Sequence, residues 1–365
     1  MMLPRSAFWL IPPLLLFVLA LMLLRPVPID PVPWTPPPAP ALTGVWAPNH
    51  RLADAELLAR GQVQGPEDVD EDAEGNVYAG LADGRVVRIT PGGQVTTWVN
   101  TGGRPLGLHF DAEGRLVIAD AINGLLRYHP ESGLETLLTE VDGVPLGFTD
   151  DLDIGSDGTV YFSDASSRWG VDDYKLDVME NRPWGRLIAW YPDGRPPRVL
   201  LRELYFANGV ALSSDESYVL VNETWRYRVT RYWLKGPKAG TSDVFIDNLP
   251  GFPDGISGNR QGAFWLALYA PRNAALDAMH PHPWLKRVAL NLPEALQPKP
   301  VRYGFVVALD EQGKVVTTLQ DPSGAHLWEV TSVQQAGDHI LTGSLHGDRI
   351  GRLPVPAEVR ALSGR

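Results

Sequence analysis

The sequence predicts an all-β chain: a six-bladed β-propeller preceded by one N-terminal hydrophobic anchor helix. Three observations predict it. One turn-and-strand unit recurs six times, apolar and polar residues alternate with period two, and a single uncharged apolar run stands apart at the N-terminus.

The apolar run is Phe8 to Leu24, bracketed by Arg5 and Arg25. At about 17 residues it is at the short end of what spans a bilayer as a helix. No small-x-small cleavage site follows it, so an uncleaved signal anchor over residues 1–25 is the expectation, with a cleaved signal peptide as the alternative. Arg5 and the terminal amine favour an inside N-terminus, which places the body on the periplasmic, lumenal or other extracytoplasmic side. Residues 26–44 are Pro-rich and read as an extended, semi-rigid linker.

Residues 45–365 form the repeating body. The turn and second strand recur as EDAEGNVYAG, DAEGRLVIAD, GSDGTVYFSD, SSDESYVLVN, GNRQGAFWLA and QAGDHILTGS, roughly 40 to 75 residues apart. Third strands such as GRVVRITPGG and YRVTRYWLKG follow. The 36 glycines and 33 prolines suit many short strands joined by turns. ADAELLARG (53–61) reads either as a helix or as the strand that completes the last blade, which lacks a fourth strand of its own. The insertions 165–185 and 270–300 are expected to be loops or short helices over one face.

The net charge of -11 argues against nucleic acid, which needs a basic surface. The absence of cysteine excludes thiolate nucleophiles and Cys-based zinc sites. Aligning the units by their turns puts Glu67, Leu106, Asp150, Asn208, Asp254 and Thr331 at equivalent starts of innermost strands, hence in one ring around the propeller axis. Four of these carry the oxygen ligands that Ca²⁺ prefers: Glu67, Asp150, Asn208 and Asp254. Asp and Asn are depleted in strands, although each also follows a turn, where they are ordinary residues.

At GPEDVDEDAEGNVYAG, FTDDLDIGSDGTVYFSD, FANGVALSSDESYVLVNE and LPGFPDGIS the sequence resembles the calcium-dependent propeller hydrolases related to gluconolactonase and paraoxonase. It is most similar to the strictosidine-synthase-like branch that includes the adipocyte plasma membrane-associated proteins. The resemblance implies catalytic Ca²⁺ ligands at Glu67, Asp150, Asn208 and Asp254, with Asp150 standing where the family usually has Asn. It implies a second, structural calcium at Asp68 and Asp151, unless these form a charged turn paired with arginine. Paraoxonase's catalytic histidine pair would fall near Leu106 and Ala121, and strictosidine synthase's glutamate near Ser332, so neither chemistry is carried over. The implied activity is calcium-dependent hydrolysis of lactone or aryl ester substrates, with Asp254 or Asp150 as the catalytic carboxylate. Phe148, Phe206, Phe252 and Tyr269 are candidate pocket walls or core residues. The rival reading is a membrane-tethered, calcium-stabilised binding module without catalysis.

Overall fold

Each repeat folds into a four-stranded antiparallel sheet, and six such sheets surround one axis. The computed structural model describes residue 20 and residues 24–362. The predicted anchor, Phe8 to Leu24, therefore lies almost wholly outside the described residues. Among those described, no helix is long and apolar enough to cross a membrane.

The innermost strands are Val69–Glu71, Pro105–Phe110, Thr149–Ile154, Ala207–Leu212, Gly251–Gly258 and Val330–Ala336. In blades one to five the chain simply meanders outward. Blade six takes its outermost strand from the other end of the chain: Glu56–Leu58 pairs antiparallel with Ile350–Pro354. Of the two readings of 53–61 the structure takes the strand, and a 3-10 turn at Arg51–Asp54 leads directly into it. Leu52 in that turn is wholly buried between blades five and six, and Arg352 pairs with Glu56 at 2.6 Å across the seam. Closure leaves no open sheet edge at the joint.

In an antiparallel meander, the start of each innermost strand and the link from second to third strand lie at the same end of the disc. Both large insertions are such links, so both cover the face that carries the ring. They contain three short helices, α1 (Tyr174–Glu180), α2 (Ala274–Met279) and α3 (Pro283–Asn291). Asn273 caps α2 by accepting the amides of Ala275 and Leu276, and Pro283 opens α3 where its missing N–H costs nothing. The lid is pinned by tryptophan indoles on buried carboxylates. Trp225 donates to Asp177 at 2.9 Å, and Trp169 and Trp184 donate to Glu180 at 2.9 and 2.8 Å.

The Pro-rich segment is extended, as its composition requires, but it does not act as a spacer. It lies as a strap along the groove between α1 and α3. Prolines lack N–H groups yet keep strong carbonyl acceptors, and the lid supplies the donors. Asn291 reaches the Arg25 carbonyl, Arg182 that of Asp30, Lys286 that of Val32, and Arg272 that of Pro37. The strap's own amides at Val32 and Trp34 bond to Glu180 and His280. Trp34 packs on Tyr227 and His280 beneath the Arg226 guanidinium.

Candidate functional site

The ring forms because the innermost strands are irregular where they begin. Register shifts occur at Pro105/Gly107, Thr149/Leu152, Ala207/Val210, Pro253/Ile256 and Val330/Val333. A bulge at that point re-aims a side chain that regular pleating would leave in the sheet. Glycine follows two of the ligand candidates for a steric reason. A Cβ on Gly209 would sit 2.4 Å from the Ile256 amide, and one on Gly255 would sit 2.4 Å from the Thr331 carbonyl. The strand starts are then tied to neighbouring blades. Thr331 and Ser332 hydroxyls donate to the Glu67 carbonyl at 2.6 and 2.9 Å, Thr224 donates to the Pro253 carbonyl, and Asn222 donates to that of Asp254.

Glu67, Asp150, Asn208 and Asp254 are all at most 9% exposed. The Asn208 side chain favours the ionised form of the Asp254 carboxyl. A cavity of about 220 Å³ reaches from Glu67, Asp150 and Asn208 along the channel to Asn259, Arg260 and Gln335 near the opposite face. Among the described residues no three His, Cys, Asp or Glu side chains are drawn together into a ready-made metal cage. The electrostatics nonetheless describe a site with excess negative charge. Burial raises the Glu67 and Asp150 carboxyls well above their usual range, and the charge of Asp254 raises both further. Burial pushes Asp254 itself up to about 8.

Among the described residues one cation answers this charge, and sequence reasoning missed it. Arg104, from the link before blade two, is buried beside Glu67 and Asp150 and favours their ionised forms. Its guanidinium donates to the Gly65 carbonyl at 3.1 Å. Two further positioning acids were also missed, at the ends of second strands. Asp164 accepts the amides of Gly147 and Phe148, paired with Arg186 at 2.6 Å, and so fixes the loop before Asp150. Glu223 accepts the Tyr205 amide and fixes the loop before Asn208. The recurring acid in IAD, FSD and VNE was the available signal.

Asp68 and Asp151 lie next to the ring positions, and burial raises both; the charge of Asp70 raises Asp68 further, and that of Asp68 raises Asp151. Neither is ion-paired with arginine among the described residues. Each reaches instead to the next blade's backbone: Asp68 accepts the Leu108 amide and Asp151 the Val210 amide, both at 2.8 Å. Two residues on, Asp70 and Asp153 repeat the contact with Phe110 and Leu212. These acids staple blade one to two and blade three to four. Phe148, Phe206 and Phe252 join the core, with Phe148 and Phe206 edge to face at 5.2 Å. Tyr269 is only half-buried and stands within electrostatic range of Asp254.

The raised carboxyls give a pH prediction. A carboxyl near 3.8 when unfolded and near 8 when folded keeps its proton only in the folded state across that window. Stability without a bound cation therefore falls as pH rises through about 4 to 8. The thermal midpoint in chelator is expected to be lower at pH 8 than at pH 5, and added calcium to restore most at pH 8. A midpoint in chelator that rises over this range contradicts the charge excess.

Comparisons with known proteins agree with this architecture. A family profile described as Strictosidine synthase matches residues 150–237, and one described as Strictosidine synthase-like, N-terminal, matches residues 44–89. Human adipocyte plasma membrane-associated protein is 35% identical over 93% of this chain and 87% of its own length. The chain belongs to the strictosidine synthase-like family. Another member, strictosidine synthase-like protein 3 of Arabidopsis thaliana, is 36% identical over 80% of this chain and 83% of its own length. A solved gluconolactonase from Xanthomonas campestris shares the fold at a TM-score of 0.61 and 20% identity, covering 91% of this chain and 99% of its own. A calcium-binding regucalcin from Agrobacterium tumefaciens does so at 0.56 and 16%, covering 82% and 90%. In this strictosidine synthase-like chain, Ser332, near which the sequence resemblance places strictosidine synthase's glutamate, donates its hydroxyl to the Glu67 carbonyl.

Proposed function

We propose that this protein is a calcium-dependent hydrolase of lactones or aryl esters, acting at the lid end of the channel. The observation that carries the reading is the ring itself. Three buried carboxyls and an amide come from four blades: burial raises all three carboxyls, Asp254 raises Glu67 and Asp150 further, and among the described residues one guanidinium, Arg104, offsets those two. An all-oxygen donor set of that charge fits Ca²⁺ by chemistry. Glu67, Asp150, Asn208 and Asp254 would hold the ion, and Asp68 with Asp151 are candidates for a second, structural one. Bound calcium would polarise the ester carbonyl and stabilise the developing oxyanion.

The protein's own groups divide the remaining work. Arg104 keeps Glu67 and Asp150 toward their charged forms, whereas among the described residues no such cation acts on Asp254. Asp254 is therefore the carboxylate best suited to take a proton from attacking water, with Asp150 as the second candidate. The half-buried Tyr269 stands within electrostatic range of it. The names of two fold neighbours, a gluconolactonase and a calcium-binding regucalcin, are in keeping with this reading. Residues 8–24 are proposed to anchor the chain, with the propeller on the extracytoplasmic side. The naming of curated relatives as plasma membrane-associated agrees.

The shut ring, at most 9% exposed, favours a second reading: a tethered, calcium-stabilised binding module. A panel of lactones and aryl esters, assayed with calcium and with chelator, separates the two. Hydrolysis abolished by chelation supports the enzyme. A folded, calcium-loaded protein inert on the whole panel supports the binding module.

A further inference from the structure

We propose that the lid face of the disc is a membrane-docking surface, seated on the bilayer by Trp284, Leu296 and their neighbours and held in that orientation by the strap. The inference rests on the anchor reading of residues 8–24, and it adds which face meets the lipid.

The first observation is the absence of slack. A free polyproline-type spacer over residues 26–40 would reach about 45 Å at ~3.1 Å per residue, enough to hold the disc clear of the bilayer in any orientation. In this protein that reach is taken up on the lid. The Arg25 carbonyl already accepts a hydrogen bond from Asn291 at the C-terminal end of α3, and Asp30 is held by Arg182 and the Glu180 carboxylate. The apolar run ends at Leu24, one residue earlier. It therefore leaves the body at the lid, and a bilayer entered by that run lies against the same face.

The second observation is independent of the strap. Nine large apolar side chains are exposed among the described residues. Ile122, Val144, Trp284, Leu296 and Val301 all lie in connections on the ring's face, and Leu24 ends the apolar run beside them. The remaining three sit at the outer edges of blades. Turns on the opposite face carry none. Scattered exposed apolar residues need no explanation, but segregation to one face does. Trp284, in the first turn of α3, is 62% exposed, and Leu296, in the 3-10 turn that follows the helix, is 66% exposed. A half-polar indole beside aliphatic side chains is the composition that settles at a lipid–water interface. The occupant is accordingly a lipid surface. The far channel mouth, with His109 between Asp70 and Asp153, then faces water.

The test exploits a chain without cysteine, in which one introduced thiol is the sole labelling site. Full-length Trp284→Cys, Leu296→Cys and Ala112→Cys variants carry an environment-sensitive fluorophore and are reconstituted in phosphatidylcholine vesicles containing shallow doxyl-lipid quencher. Ala112 is an exposed turn residue on the opposite face. Quenching several-fold stronger at 284 and 296 than at 112 is expected. Protein that floats with the vesicles yet is quenched equally at all three positions overturns the docking surface while leaving the anchor intact. Protein that does not float at all overturns both.

Discussion

Replacing Asp254 by asparagine is expected to lower hydrolysis by about 10²–10⁴-fold, the range for loss of a positioned proton acceptor. The substitution keeps the shape of the side chain, so the bulge, Gly255 and the bond from Asn222 to the residue 254 carbonyl remain. What it removes is a charge that raises both Glu67 and Asp150. The same variant should therefore be no less stable than the parent at pH 8 in chelator, since a like-charge repulsion has gone. Lost activity with retained or raised thermal midpoint is the expected pair of results. Unchanged hydrolysis would remove Asp254 from the mechanism and shift the role to Asp150.

The largest stability effect is expected at the closure of the ring of blades. Leu52 is fully buried between blades five and six, in the turn that delivers the closing strand. Leu52→Ala should cost about 2–5 kcal/mol, the range for deleting a buried leucine side chain. Its location makes the loss local as well as global. Amide exchange should accelerate first in Glu56–Leu58 and in its partner strand Ile350–Pro354, before the inner strands of blades two to four. Uniform acceleration across all blades would contradict a clasp at this seam.

The fold was legible because its signals are local and repeated. Strand alternation and Asp/Gly turns need only a few neighbouring residues, and recurrence gave the register that brought Glu67, Asp150, Asn208 and Asp254 to equivalent positions. What escaped depends on partners far along the chain. Nothing beside Arg104 in the sequence marks it; its role follows from the Gly65 carbonyl and Glu67, both brought to it from blade one. Asp68 and Asp151 read as metal ligands or charged turns, and their carboxylates also reach backbone amides of the next blade, 40 and 59 residues on, partners that no neighbouring residue announces. The Pro-rich segment is extended, as its composition requires, but composition carries no information on what receives its carbonyls. Those donors, Arg182, Arg272 and Lys286, belong to two insertions that obey no repeat. The closing strand stood between these cases: its periodicity suited helix and strand alike, and only the vacant edge of blade six decides it.

The claim on which the rest depends is that the ring holds calcium. Crystals grown in calcium and measured for its anomalous scattering test it most directly. The account predicts one strong peak within ligand distance, about 2.3–2.6 Å, of oxygens from Glu67, Asp150, Asn208 and Asp254. A calcium-saturated crystal with no peak at these four residues would contradict it.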